Sequence, residues 1–237
     1  MIHKNLNFVI EKYGTKNILY LHGWGGDKSS LDVLKNIDCA TIMSLDFFSS
    51  KESFSTNYDT YLSALDVYLT LKENNIDTVS IIAHSYGGRV ALILASCFDI
   101  KIEKLFLIAS AGINTFDIKK YIRIINYKLV KFCVKLRVYN KNILSKYGSD
   151  DYKKLETLFK HIFRNIIRQD LSYLLYKVKS NLTILIYGTK DKITPIKIMK
   201  VLSKNIHNTN SYIIKNADHF LYLKDTKNVL DIINNNL

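Results

Sequence analysis

The sequence predicts an α/β chain: a mostly parallel sheet with helices on both faces, interrupted by one helical insertion. Three observations predict it. Short β-branched runs alternate with helix-period runs along most of the chain, the pattern of parallel strands joined by crossover helices. The strand runs are apolar throughout rather than alternating, as expected of strands buried on both faces. Only residues 112–180 break the rhythm, with several helical patterns and no strong strand run. The 237 residues therefore read as one core, 1–111 with 181–237, and a helical cap over 112–180.

In chain order, Phe8-Val9-Ile10 reads as a strand, and Asn17 to Leu21 as a second one ending at His22-Gly23-Trp24-Gly25-Gly26. Ser30 to Ile37 is expected to be a short helix and Ala40 to Leu45 a strand. Tyr58, Tyr61, Leu62, Leu65 and Leu69 recur at helical spacing after the cap candidates Thr56 and Asn57. Val79 to Ala83 is a buried strand that reaches His84-Ser85-Tyr86-Gly87-Gly88 and continues as the helical run Arg89 to Ala95. Leu105 to Ala109 and Leu182 to Tyr187 are further strands. Pro195 opens a helix to about Ile206, since proline is tolerated in a first turn. Ser211 to Ile214 is the last strand, and a helix ends the chain.

Ser85 sits where a buried strand turns sharply into a helix. Such a turn pushes a serine hydroxyl beyond the sheet and needs small neighbours; here they are Ala83 and Gly87. Acyl transfer by serine further needs a base, a carboxylate that orients it and donors for the oxyanion. Asp191 follows Gly188 at the end of a strand, and His219 follows the strand ending near Ile214. All three residues follow strands and can meet at one sheet edge. The backbone N–H groups of Trp24 and Tyr86 are the expected oxyanion donors. His22, Trp24 and Phe220 are candidate pocket residues, with His22 a loop brace rather than a base. Asp218 is a rival orienter, disfavoured by its adjacency to His219. His84 is expected to point away from Ser85.

Four segments carry a resemblance: Leu21-His22-Gly23-Trp24-Gly25-Gly26, Ala83 to Arg89, Gly188-Thr189-Lys190-Asp191 through Pro195, and Asp218-His219-Phe220-Leu221. Together they resemble the functional motifs of the α/β-hydrolase superfamily, from about residue 8 to the end. The His-Gly-Trp-Gly form is similar to bacterial carboxylesterases of the pimeloyl-acyl-carrier-protein methyl ester esterase type. The resemblance implies an α/β-hydrolase fold, a Ser85–His219–Asp191 triad and hydrolysis, but not a substrate; the expected reaction is hydrolysis of a carboxylic ester or thioester, with no cofactor or metal. Cleavage of a C–C bond in a dienoic diketone, or acyl transfer, could use the same triad. Three departures stand out: Ala83 where glycine is usual, Asp218 before the histidine, and Asp46 to Lys51 in place of a Gly/Pro-rich loop.

Net charge is +13, and residues 101–180 hold 18 Lys/Arg against 6 Asp/Glu. Within them, 118–149 has nine basic residues and no acidic one. Lys120, Arg123, Lys128, Lys131 and Lys135 form a rough helical stripe. It fits a lid with one wet face, an acidic protein partner such as an acyl carrier, or an anionic substrate or membrane surface. No nucleic-acid-binding motif accompanies the charge, so nucleic acid is not an expected partner. Cys39, Cys97 and Cys133 match no metal or disulfide pattern and are expected to be buried thiols. Without an apolar leader or a run long enough to span a bilayer, a cytoplasmic location is expected.

Overall fold

The computed structural model describes residues 6–38, 40–48, 54–115, 126–127, 129–131, 134–135, 140 and 155–237. Among the described residues, seven strands form one sheet: β1 (Val9–Lys12), β2 (Lys16–Leu21), β3 (Ala40–Ser44), β4 (Thr78–His84), β5 (Lys101–Ile108), β6 (Leu182–Gly188) and β7 (Thr209–Ile214). Their spatial order is β1-β3-β2-β4-β5-β6-β7. β1 pairs antiparallel with β3, and every other pairing is parallel.

The apolar runs are continuous because the sheet is covered twice. Leu19, Leu21, Val79, Ile81, Ala83, Leu105, Leu107, Leu185 and Tyr187 enter one core layer. Their in-between neighbours Ile18, Tyr20, Ile82, Phe106, Ile108, Ile184 and Ile186 enter the other. This is the two-residue period of a strand with both faces dry. Each fully buried Leu, Ile or Phe contributes about 1.5–3 kcal/mol relative to exposure. Two buried tyrosines satisfy their hydroxyls on backbone: Tyr20 on the Leu34 carbonyl and Tyr187 on that of Ser110, each at 2.8 Å.

The first layer is covered by α1 (Thr60–Glu73) and α2 (Tyr86–Cys97). Phe159, Ile162 and Ile166 of α3 (Thr157–Arg168) join that layer. On the other side lie a single 3-10 turn (Asp32–Leu34), α5 (Leu221–Lys224) and α6 (Thr226–Asn234). A further helix, α4 (Ile196–Asn205), follows Pro195, which stands at its N-cap.

The two ends of the stretch expected to form the cap are hydrogen-bonded to each other. Leu171 N–H donates to the Gly112 carbonyl at 2.8 Å, and Asn114 N–H to Asp170 Oδ1 at 3.2 Å. Buried Arg89 on α2 donates to the Gln169 carbonyl at 2.9 Å, and the Gln169 amide bonds Asp59 Oδ2 at 2.8 Å. Beyond that point Ser172–Lys177 runs along α2, with Lys179 N–H on the Ala95 carbonyl. Most of the basic stripe, including Lys120, Arg123 and Lys128, lies outside the described residues, whereas Lys131 and Lys135 are exposed.

Several expectations need correction. Ser30 to Ile37 is a run of turns with one 3-10 turn, not a helix. The cap of α1 is Asp59, whose carboxylate accepts from Leu62 N–H at 3.1 Å, rather than Thr56 or Asn57. Cys97 is exposed, because α2 leaves the core at its last residue; Cys39 and Cys133 lie outside the described residues. Among the described residues, no helix is long and apolar enough to cross a membrane.

Candidate active site

The parallel register brings the functional loops together. Leu21 pairs with Ala83, His84 with Ile108 and Gly188 with Ile214. The loops after β2, β4, β6 and β7 therefore leave the same carboxyl edge, where open α/β sheets bind ligands.

Ser85 joins β4 to α2 with φ 49° and ψ −106°. A non-glycine residue rarely occupies that region, and the strain is held by its surroundings. Its N–H donates to the Ile108 carbonyl at 3.1 Å, and its carbonyl accepts from Gly88 N–H at 3.1 Å and Ala111 N–H at 3.0 Å. The turn leaves no room for larger neighbours. A Cβ on Gly87 would lie 2.1 Å from the Leu21 carbonyl oxygen, and one on Gly88 2.0 Å from Ser110 Oγ.

His219 links the other two candidates. Its Nδ1–H donates to Asp191 Oδ2 at 2.8 Å. That tautomer leaves Nε2 as the acceptor for the Ser85 hydroxyl, whose Oγ lies 2.9 Å away. His219 is 7% and Asp191 5% exposed. Asp191 Oδ1 accepts from Ile193 N–H at 2.7 Å and Thr194 N–H at 2.8 Å. The single hydroxyl hydrogen of Thr194 lies between Asp191 Oδ2, at 2.6 Å, and the Ala109 carbonyl, at 3.0 Å. Burial alone would raise the Asp191 pKa, but the hydrogen bonds from His219 and Thr194 outweigh it and hold the carboxyl below its ordinary value. Asp191 is thus held ionised against His219. The rival, Asp218, is spent on Lys224 and on Phe220 N–H.

Trp24 stands in the loop after β2, and Tyr86 is the first residue of α2. Neither backbone N–H is hydrogen-bonded among the described residues, so both are available to an anion. The two rings meet edge-on with centroids 5.8 Å apart.

His22 does not line a pocket. It is 2% exposed; its Nδ1–H donates to the Gly23 carbonyl at 2.7 Å, and its Nε2 accepts from Phe47 N–H at 3.2 Å. Burial lowers its pKa, so it is a neutral brace between two loops. Phe220 is 48% exposed, with its ring edge-on to His219 at 5.4 Å, on the rim of the site.

The aromatic wall is larger than sequence reasoning allowed. The Trp24 ring meets Phe48 at 4.8 Å and, from α3, Phe163 at 5.1 Å. Phe48 also contacts Tyr86, Phe54 and Phe159. Its signal was the unusual Asp46-Phe47-Phe48 after β3, which departs from a Gly/Pro-rich loop. Among the described residues, no group of three or more His, Cys, Asp or Glu side chains could hold a metal ion.

No family model matches the chain. A Haemophilus influenzae protein named "Putative esterase/lipase" is 26% identical over 111 residues, which cover 46% of this chain and only 39% of that protein. A hydrolase from Oleispira antarctica superposes with a TM-score of 0.74 at 20% identity, covering 96% of this chain and 92% of that one. An esterase from Exiguobacterium antarcticum gives a TM-score of 0.72 at 17% identity, covering 95% and 93%. MGS-MChE2, an alpha/beta hydrolase enzyme from the metagenome of Mar Chica lagoon sediments in Morocco, gives 0.69 at 18%, covering 97% and 94%. At these identities the likeness establishes architecture, and the architecture of this chain is the α/β-hydrolase fold.

Proposed function

We propose that the chain is a serine hydrolase that cleaves carboxylic esters or thioesters through an acyl-enzyme intermediate. The observation that carries this reading is the unbroken relay from Ser85 Oγ through His219 to Asp191, at 2.9 and 2.8 Å. His219 Nε2 takes the hydroxyl proton as Ser85 Oγ adds to the acyl carbon. The oxyanion so formed meets the Trp24 and Tyr86 N–H groups. Collapse breaks the bond to the leaving oxygen or sulfur, which receives the proton from His219. A water then gives its proton to His219 and adds to the acyl carbon, and release of the acid returns the proton to Ser85. Asp191 stays ionised and holds the imidazole. The names of the Exiguobacterium and Haemophilus proteins, an esterase and a "Putative esterase/lipase", point the same way.

Hydrolysis of a p-nitrophenyl ester series from acetate to octanoate tests the proposal. Ser85→Ala should lower kcat by about 10³-fold or more on whichever ester wild type prefers. Turnover by Ser85→Ala within a few-fold of wild type rejects the reading.

A further inference from the structure

His84 is the last residue of β4 and is 2% exposed. It does not touch Ser85 Oγ, yet its ring lies between two loops that the reaction needs. On one side its centroid is 4.8 Å from that of His219 and 4.8 Å from that of Tyr222, with Phe220 at 5.9 Å. Its Nε2 is 3.0 Å from the His219 carbonyl oxygen. A carbonyl only accepts, so Nε2 carries the hydrogen. Among the described residues, nothing else donates to that carbonyl. On the other side the ring presses on Gly23. A Cβ there would lie 2.8 Å from His84 Nδ1 and 3.3 Å from Cε1. Gly23 immediately precedes Trp24, the candidate oxyanion donor.

We infer that His84 is a positioning residue: anchored in β4, it sets the His219 loop through the Nε2–H bond to the His219 carbonyl and spaces that loop from Gly23–Trp24. The inference rests on the serine-hydrolase reading. Burial, reinforced by the neighbouring His219, pushes the His84 pKa down to about 3. The ring is therefore neutral at pH 7 and keeps its one donor on Nε2. Its main chain pairs with Ile108 in the sheet, so the donor stands on a rigid element rather than on a loop.

The test compares His84→Phe, which keeps a ring but loses the donor, with His84→Gln, whose amide nitrogen can occupy roughly the place of Nε2. Each is measured on a p-nitrophenyl ester as kcat per active site titrated with a fluorophosphonate, so that misfolded protein is not counted. His84→Phe should lose about 10- to 100-fold in kcat with KM nearly unchanged, the scale for a reacting group displaced by about 1 Å. His84→Gln should recover most of that loss. If His84→Phe does not fold, His84→Leu gives the same comparison with less bulk. A donor-lacking variant with wild-type kcat per titrated site overturns the inference, whatever its melting temperature. So does a glutamine variant no better than the donor-lacking one. If wild-type turnover does not depend on Ser85, the hydrolase reading fails and the positioning role with it. If it does depend on Ser85 but is indifferent to the His84 donor, only the positioning role fails.

Discussion

Thr194 shows what a single hydroxyl can do at this site. It lies 2.6 Å from Asp191 Oδ2 and 3.2 Å from His219 Nδ1, so it steadies the carboxylate that, in the proposed mechanism, aims the base. Thr194→Val keeps the shape and removes that bond. A bond to a charged group is worth about 1.5–3 kcal/mol, and part of that loss should fall on catalysis. The expected outcome is a kcat lower by roughly 3- to 30-fold with KM little changed, alongside a lower urea midpoint. Steady-state kinetics and urea unfolding of the pair check it, and an unchanged kcat would remove Thr194 from the site. The meeting of Ser85, Asp191 and His219 was legible because each follows a strand of one parallel sheet, and Asp218, the rival carboxylate, is adjacent to His219 in sequence. Thr194 was not, because a threonine three residues past an aspartate is ordinary until the fold brings β5 beside it. His84 was legible only as a residue that turns away from Ser85; what it turns towards depends on the Asp218-His219-Phe220 loop, 135 positions on. The segment holding Phe48 stood out as a departure, but its partners did not, since they lie on α2, the β2 loop and α3.

At the scale of elements, the turn from β4 to α2 is the least tolerant part of the chain. Gly87 faces the Leu21 and His22 carbonyls, backbone atoms that cannot step aside, whereas Gly88 faces the Ser110 side chain. The two glycines should therefore respond differently. Gly88→Ala should cost about 1–3 kcal/mol by overpacking, and adding Ser110→Gly should restore much of it, a coupling readable in a double-mutant cycle by urea unfolding. Gly87→Ala should cost more and gain nothing from Ser110→Gly. Strict additivity of the Gly88 and Ser110 changes would contradict the packing described. The strands were legible because both sheet faces are dry, so period two collapses into apolar runs. The helix starts were less so. Asp59 outcompeted Thr56 and Asn57 as the α1 cap because only its carboxylate reaches Leu62 N–H, a matter of where the chain enters the helix. Ser30–Ile37 has helix-like composition, yet Asp27 collects Ser29 and Ser30 into a turn that leads the chain away from a regular helix.

For the whole molecule, topology does most of the functional work. Parallel strands carry four loops to one edge, and residues 134 positions apart, Ser85 and His219, meet within hydrogen-bond distance. The alternation of strands and helices made this readable. The bond between Gly112 and Leu171 and the grip of Arg89 on Gln169 were not readable, because they are contacts between distant segments with no local pattern. The antiparallel β1 was equally hidden, since strand direction follows from the connection and not from composition. The central claim is that this edge makes one serine nucleophilic. Its most direct measurement is the intact mass and peptide map of the protein after reaction with a fluorophosphonate. The account predicts one adduct per chain, on Ser85, formed at least about 10²-fold more slowly in His219→Ala. An adduct on another residue, no adduct at all, or labelling at an undiminished rate without His219 would contradict it.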